Sequence, residues 1–125
     1  FTKPLTIYNL PPTASFTYSP QEINIDSEVQ FIDNSTDPED RIVSWFWNFG
    51  DGYTSTLRNP THKYQSKGSF TVTLTVTDDE GLTSTTSKTL TIKGQAFYFH
   101  PLFLVGLIIV VIIIVGVIIK FKLKK

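Results

Sequence analysis

Eighteen consecutive residues, Leu102 to Ile119, carry no polar side chain. As a helix rising about 1.5 Å per residue, such a run spans about 27 Å, close to the hydrocarbon thickness of a bilayer. A chain of 125 residues cannot supply the shell needed to bury it in a soluble core. A secretory signal does not fit, because the run is long and lies at the C-terminal end. A transmembrane helix is therefore expected over residues 102–119. Lys120, Lys122, Lys124 and Lys125 follow it directly, which predicts a cytoplasmic tail over 120–125. Phe97, Tyr98, Phe99 and His100 precede it, as aromatic side chains at an outer interface would. Pro101 suits a first helical turn, where its missing N–H costs nothing. The expected topology is single-pass in the plasma membrane, with the N-terminal domain extracytoplasmic. Gly106 and Gly116 lie ten apart, roughly 80° around a helix, which is a weak packing signal.

Charge is divided in the same way. The chain has eleven Lys plus Arg and eleven Asp plus Glu, for a net charge of zero. Residues 1–119 hold seven of the bases and all the acids, a net of −4, and residues 120–125 hold four Lys, a net of +4. This excludes a broad basic nucleic-acid surface, and the hydrophobic content excludes a disordered chain. There are no cysteines, so there is no disulfide framework or thiol nucleophile. The chain opens on Phe1 rather than Met, as expected after removal of a signal peptide or for the C-terminal piece of a longer protein.

Upstream of the helix the periodicity is two, not 3.6. In Phe70-Thr-Val-Thr-Leu-Thr-Val-Thr77, Phe70, Val72, Leu74 and Val76 share one face and the threonines share the other. Leu90 and Ile92 alternate in the next run. Asp78-Asp-Glu-Gly81 between them reads as a hairpin connection in which Gly81 takes positive φ. Ala14, Phe16 and Tyr18 alternate, as do Val29 and Phe31, and Val43, Trp45, Trp47 and Phe49. Gly50-Asp-Gly52 ends the tryptophan strand in a tight turn. Short strands and an aromatic core predict an all-β, immunoglobulin-like antiparallel sandwich of about seven strands. The expected organisation is an N-terminal lead over 1–10, a sandwich over 11–93, a linker over 94–101, the helix and the tail. The linker reaches at most about 26 Å, which would keep the domain near the membrane. No internal repeat is present.

Ser44-Trp-Phe-Trp-Asn-Phe-Gly-Asp-Gly52 resembles the W-D-F-G-D-G signature of PKD (polycystic kidney disease) domains. Pro12-Thr-Ala-Ser-Phe16 resembles the family's opening strand, and Asn34-Ser-Thr-Asp-Pro-Glu-Asp40 its S-T-D-P-D-G loop. Asn59-Pro-Thr-His-Lys-Tyr64 resembles its N-P-T-H-x-Y segment. Gly68 to Asp78 resembles its G-x-Y-x-V-x-L-x-V-x-D strand. The resemblance covers residues 11–93 in order. Asn48 departs from the usual Asp. Arg41 departs from the usual Gly, so that position should not need positive φ. The resemblance implies an immunoglobulin-like fold and a non-catalytic module used as a spacer, adhesion unit, or binder of proteins or polysaccharides.

It also implies a calcium site. Asp37, Glu39 and Asp40 crowd one loop, and Asp78, Asp79 and Glu80 another. Carried over from the family, the metal ligands would be Asp37 and Asp78, with an oxygen near Asn9. Calcium takes six to eight such oxygens. The competing reading is that these are turn carboxylates bonded to their own backbone. Trp45 and Trp47 are expected in the core, and Phe46, facing away with Ser44 and Asn48, is the better exposed contact. His62 is expected to hold a structural hydrogen bond. Asn34-Ser-Thr36 is a glycosylation acceptor sequon in a predicted loop, whereas Asn59-Pro-Thr61 is excluded by its proline. Nothing assembles a catalytic site.

The expected function is therefore a non-enzymatic, membrane-anchored adhesion or interaction module at the cell surface. It would be the anchored end of a surface protein, with surface or membrane proteins or glycans as partners and no nucleic acid. The alternative is a single-pass accessory subunit of a multi-subunit membrane complex.

Overall fold

The computed structural model describes residues 8–39, 41–95 and 101–124. The chain divides into two compact units, residues 1–95 and 96–125. The first is all β. Its strands are β1 (Phe16–Ser19), β2 (Ile23–Asn24), β3 (Glu28–Asp33), β4 (Ile42–Asn48), β5 (Thr54–Ser55), β6 (Thr61–Lys63), β7 (Gly68–Asp78) and β8 (Thr83–Lys93). They form a three-stranded sheet, β1-β3-β6, and a five-stranded sheet, β2-β8-β7-β4-β5. Among the described residues eight strands stand where about seven were expected. The sandwich is antiparallel except that β2 pairs parallel to β8.

The inward faces meet in an aromatic core. Trp47 is fully buried. Its ring meets Phe16 edge-on at 5.1 Å and Phe31 at 5.6 Å, geometries that aromatic quadrupoles favour. Its indole N–H donates to the Leu57 carbonyl at 2.9 Å. Val72, Leu74, Val76, Leu90 and Ile92 close the core from the five-stranded sheet, as the alternation predicts.

One expected core residue is misplaced. Ile42 pairs with Asp78 and Ser44 with Thr77, so Val43 is an extra residue, a β-bulge. The bulge re-aims the side chains of the strand. Val43 is 57% exposed, and Ile42 packs against the core in its place. Trp45 is only partly buried. Ile23 and Tyr64 join the core, with Ile25 packed against it, although none of the three was among the residues expected there.

The hairpin between β7 and β8 has the expected turn, with Gly81 at φ +89°. Arg41 has no positive φ, because among the described residues only Asp26 does so without being glycine.

The second unit contains α1, Pro101–Leu123. It runs from Pro101 to Leu123, beyond the expected bounds of 102–119 at both ends. Lys120 and Lys122 lie in its last turn, complementing the carbonyl end of the helix. By length and composition, Leu104–Leu123 could cross a membrane, with a mean hydropathy of 3.2. The helix is apolar on all sides up to Ile119, so it has no polar face to offer water. Residues 1–7 of the predicted lead, the aromatic residues 97–99, His100, Asp40 and Lys125 lie outside the described residues.

Candidate functional site

Two regions of the sandwich carry unusual chemistry. The first is an acidic corner at the end where β8 begins. Three segments converge there: Asn9 before β1, the loop from Asp37 to Arg41, and the turn from Asp78 to Leu82. Asp78 is 1% exposed. Its Oδ1 accepts from the backbone N–H groups of Glu80 at 3.0 Å and Leu82 at 2.8 Å. Its Oδ2 accepts from the Asn9 amide at 2.9 Å. Burial alone would push the Asp78 carboxyl up. The hydrogen bonds from Asn9 and from the Leu82, Glu80 and Gly81 backbone outweigh it and hold the group below the usual carboxylate range.

Asp37 Oδ1 accepts from the N–H groups of Glu39 at 2.8 Å and Arg41 at 3.3 Å. Arg41 then reaches across the corner. Its Nη1 lies 3.4 Å from both Asp79 and Glu80, and its Nη2 donates to Asn9 Oδ1 at 3.4 Å. Desolvation works to lower its pKa, but Asp79, Glu80 and Glu39 together raise it. Asp37 Oδ2, Glu39 Oε2 and Arg41 Nε are buried without a hydrogen-bond partner. Among the described residues no three His, Asp or Glu side chains form a metal-holding group. The corner thus gathers Asn9, the Asp37 loop and Asp78, the three segments in which calcium ligands were expected, around a guanidinium. Arg41 was legible in the sequence only as a departure from a motif. Its reach to Asn9 and Asp79 depends on the fold.

The second region is the outer face of the five-stranded sheet. The register sets Ser44, Thr77 and Thr83 in one row, Phe46, Thr75 and Thr85 in the next, then Asn48, Thr73 and Ser87. Thr71 with Thr89 and Ser69 with Thr91 extend it along β7 and β8. No charged residue occupies these outward positions. The hydroxyls of Thr75 and Thr85 are 2.9 Å apart, and those of Thr71 and Thr89 3.2 Å. Phe46 is 49% exposed on this face, as its position in β4 predicts.

The remaining candidates sit in local hydrogen-bond and ring contacts. His62 Nε2 is 2.7 Å from Asp51 Oδ2. Its ring stacks on Phe49 with centroids 4.2 Å apart and meets Tyr64 edge-on at 4.8 Å. The Tyr64 hydroxyl donates to the Phe49 carbonyl, and burial, with Asp51 nearby, pushes its pKa up. Trp45 donates to Asp33 Oδ2 at 2.9 Å, with the Arg58 guanidinium over its ring. Asn34 is exposed beyond β3 and accepts from the Thr17 hydroxyl at 2.9 Å.

Residues 9–93 match the family model of the PKD domain. The chain belongs to the PKD domain family. Its PKD domain is similar to part of a microbial collagenase of Vibrio alginolyticus, 57% identical over 62 residues, or 50% of this chain and 8% of that protein. It is also similar to the pre-pro-metalloprotease PrtV of Vibrio cholerae serotype O1, 39% identical over 103 residues, which is 77% of this chain and 11% of PrtV. The chain therefore spans about a tenth or less of these relatives. Among solved structures, the PKD1 domain of PrtV superposes with a TM-score of 0.61 at 38% identity, covering 67% of this chain and 99% of that one. A structure described for the promiscuous specificity of carbohydrate-binding modules of the β-sandwich superfamily superposes with a TM-score of 0.69 at 35% identity, covering 72% of this chain and 37% of that one. The PKD domain is a non-catalytic module, and in these enzymes it is a small part of the whole.

Proposed function

We propose that this PKD domain is a membrane-anchored binding module that holds an uncharged polymer, a glycan in the first place, against the outer face of its five-stranded sheet. The observation that carries this reading is the face itself. Five rows of mostly Thr and Ser side chains lie beside one exposed aromatic ring, with no charge among them. Hydroxyls both donate and accept, which suits sugar hydroxyls. Phe46 offers an apolar platform, as ligand sites commonly do beside a few polar groups. Along β8 the next outward residue is Lys93, already paired with Glu22, so the five rows themselves offer a polyanion or polycation no ionic partner. The likeness to a structure concerned with carbohydrate-binding modules supports the same choice.

The anchor is α1. In the proposed topology its lysines stay in the cytoplasm and the domain faces outward. Asn34 would then meet any glycosylation machinery outside, and an intact peptide mass across it would show whether it is modified.

The test is co-sedimentation of the full chain, in detergent, with insoluble neutral glycans and with fibrous collagen as the protein alternative. Phe46→Ala should weaken glycan binding about tenfold, equivalent to ~1.4 kcal/mol, with an unchanged melting temperature. Equal binding by Phe46→Ala and the unaltered chain would sink the proposal, and capture by collagen alone would replace the glycan with a protein ligand.

A further inference from the structure

On one side β8 is longer than the strand that pairs with it. β7 runs along it from Thr83 to Ile92, but β2 meets only Ile92 and Lys93 on the other side. From Thr83 to Thr91 that second side has no neighbouring strand among the described residues. Backbone direction alternates along a strand. The Leu82 carbonyl accepts from the Asp78 N–H at the β7–β8 turn, and the Lys93 carbonyl accepts from the Ile25 N–H beyond β2. Even-numbered residues of β8 therefore turn their backbone groups to β7. Thr83, Thr85, Ser87, Thr89 and Thr91 turn theirs to the open side. An edge of this kind is a template for another strand.

The outward side chains of this edge are self-complementary. With two copies antiparallel about Ser87, the two Ser87 residues face each other and Thr85 faces Thr89 on either side. Such Thr pairs stabilise sheets, and they already occur between β7 and β8. The other side of the strand opposes the match. Lys88 falls in line with Leu90 and Ile92, the core-facing positions. Its Nζ donates to the Phe16 carbonyl of β1 at 2.5 Å and lies 5.1 Å from the Phe16 ring. No carboxylate pairs with it among the described residues. In the self-paired register the two Lys88 side chains occupy diagonal positions, about 7–8 Å apart. An added strand would also strip water from each ammonium, which is costly for an unpaired charge.

We propose that the open edge of β8 is a pairing surface for a second copy of this chain, and that Lys88 holds it closed. The ammonium sits between the edges of the two sheets, β8 and β1, where an incoming strand would bury it. The pairing uses backbone groups of the edge and does not depend on a ligand at the outer face.

The chain has no cysteine, so an introduced thiol reports the pairing directly. In the paired dimer Ser87→Cys places two thiols opposite each other, with Cα atoms about 5.5 Å apart, within disulfide range. The full chain in detergent is treated with oxidised glutathione, and disulfide-linked dimer is read on non-reducing gels. Ser87→Cys with Lys88 intact should link slowly. Adding Lys88→Thr or Lys88→Gln should raise the linked fraction about tenfold, with a cooperative melt by tryptophan fluorescence showing a folded domain. The two neutral side chains differ in length and shape, so either one that folds decides the matter. Adding Lys88→Arg keeps the charge and should leave linking slow. Thr61→Cys, exposed on the other sheet, reports random collision and should stay low with every residue at position 88. Four results overturn the proposal: rapid linking with Lys88 intact, no rise in the folded neutral variants, the same rise with Lys88→Arg, or the same rise at Thr61→Cys.

Discussion

A methyl group at position 50 would meet a carbonyl. Gly50 has φ +81°, and a Cβ built there would lie 2.6 Å from the Thr71 oxygen. Gly50→Ala should cost about 2–4 kcal/mol, combining left-handed backbone strain of roughly 1–2 with an overpacking penalty. Gly52, at φ +96°, has nothing within 4 Å of such a Cβ, so Gly52→Ala should cost only the backbone part. Urea unfolding of both variants checks the difference, and equal losses would show that the close approach to Thr71 is unimportant. Asp78 gives a pH prediction. Its folded pKa is depressed, so the stability it contributes is complete above its unfolded value, about 3.9. That contribution is lost as the pH falls through and below that value. Melting temperature should therefore drop on acidification below about pH 5, and Asp78→Asn should be less stable at neutral pH with a shallower acid slope. A slope unchanged by Asp78→Asn would assign the acid sensitivity to other carboxylates.

Along β7 the alternation makes neighbouring residues unequal. Leu74 is fully buried, and Thr75 points to the outer face, where its hydroxyl meets that of Thr85 at 2.9 Å. Leu74→Ala should lose about 2–5 kcal/mol through transfer and cavity terms. Thr75→Ala should lose under about 1 kcal/mol, the scale of one cross-strand pair. Comparable losses would contradict the assignment of faces. This strand was readable in the sequence because its pattern repeats over eight residues and both faces are uniform in character. β4 was less readable. Its bulge at Val43 is a property of pairing with β7, and no local signal marks where one strand gains a residue on another. Ile23 and Ile25 do alternate with Asn24 and Asp26, but the run is only four residues long and β2 covers two of them. Tyr64 stood within a recognised motif whose packing role appears only when its hydroxyl reaches Phe49. At the corner, the sequence displayed the carboxylates and even the unusual arginine, but not the contacts between segments up to 69 positions apart, from Asn9 to Asp78. The threonine face was legible as a pattern, while its width depended on the β4–β7–β8 register.

The whole chain is polarised, and its proposed orientation can be tested through that polarity. Positive charges within about 15–20 residues of a membrane helix bias its direction. On the C-terminal side these are Lys120, Lys122, Lys124 and Lys125, and on the N-terminal side Lys88 and Lys93. Changing these four lysines to Glu removes the basic cluster next to the helix and leaves the pair on the other side. The local bias is then reversed. The domain before the helix is long, and long segments cross largely regardless of charge, so the expected result is a mixed population rather than complete inversion. Protease added outside intact cells should degrade the sandwich of the unaltered chain and spare a fraction of the variant, with both fully degraded after lysis. Protection of the unaltered chain would reverse the proposed orientation. Complete degradation of the variant would mean that the translocating domain, not the lysine cluster, sets the direction. In either outcome the near-neutral pI of 6.9 describes no surface a partner meets, because the acidic domain and the basic tail never share a compartment once the helix spans.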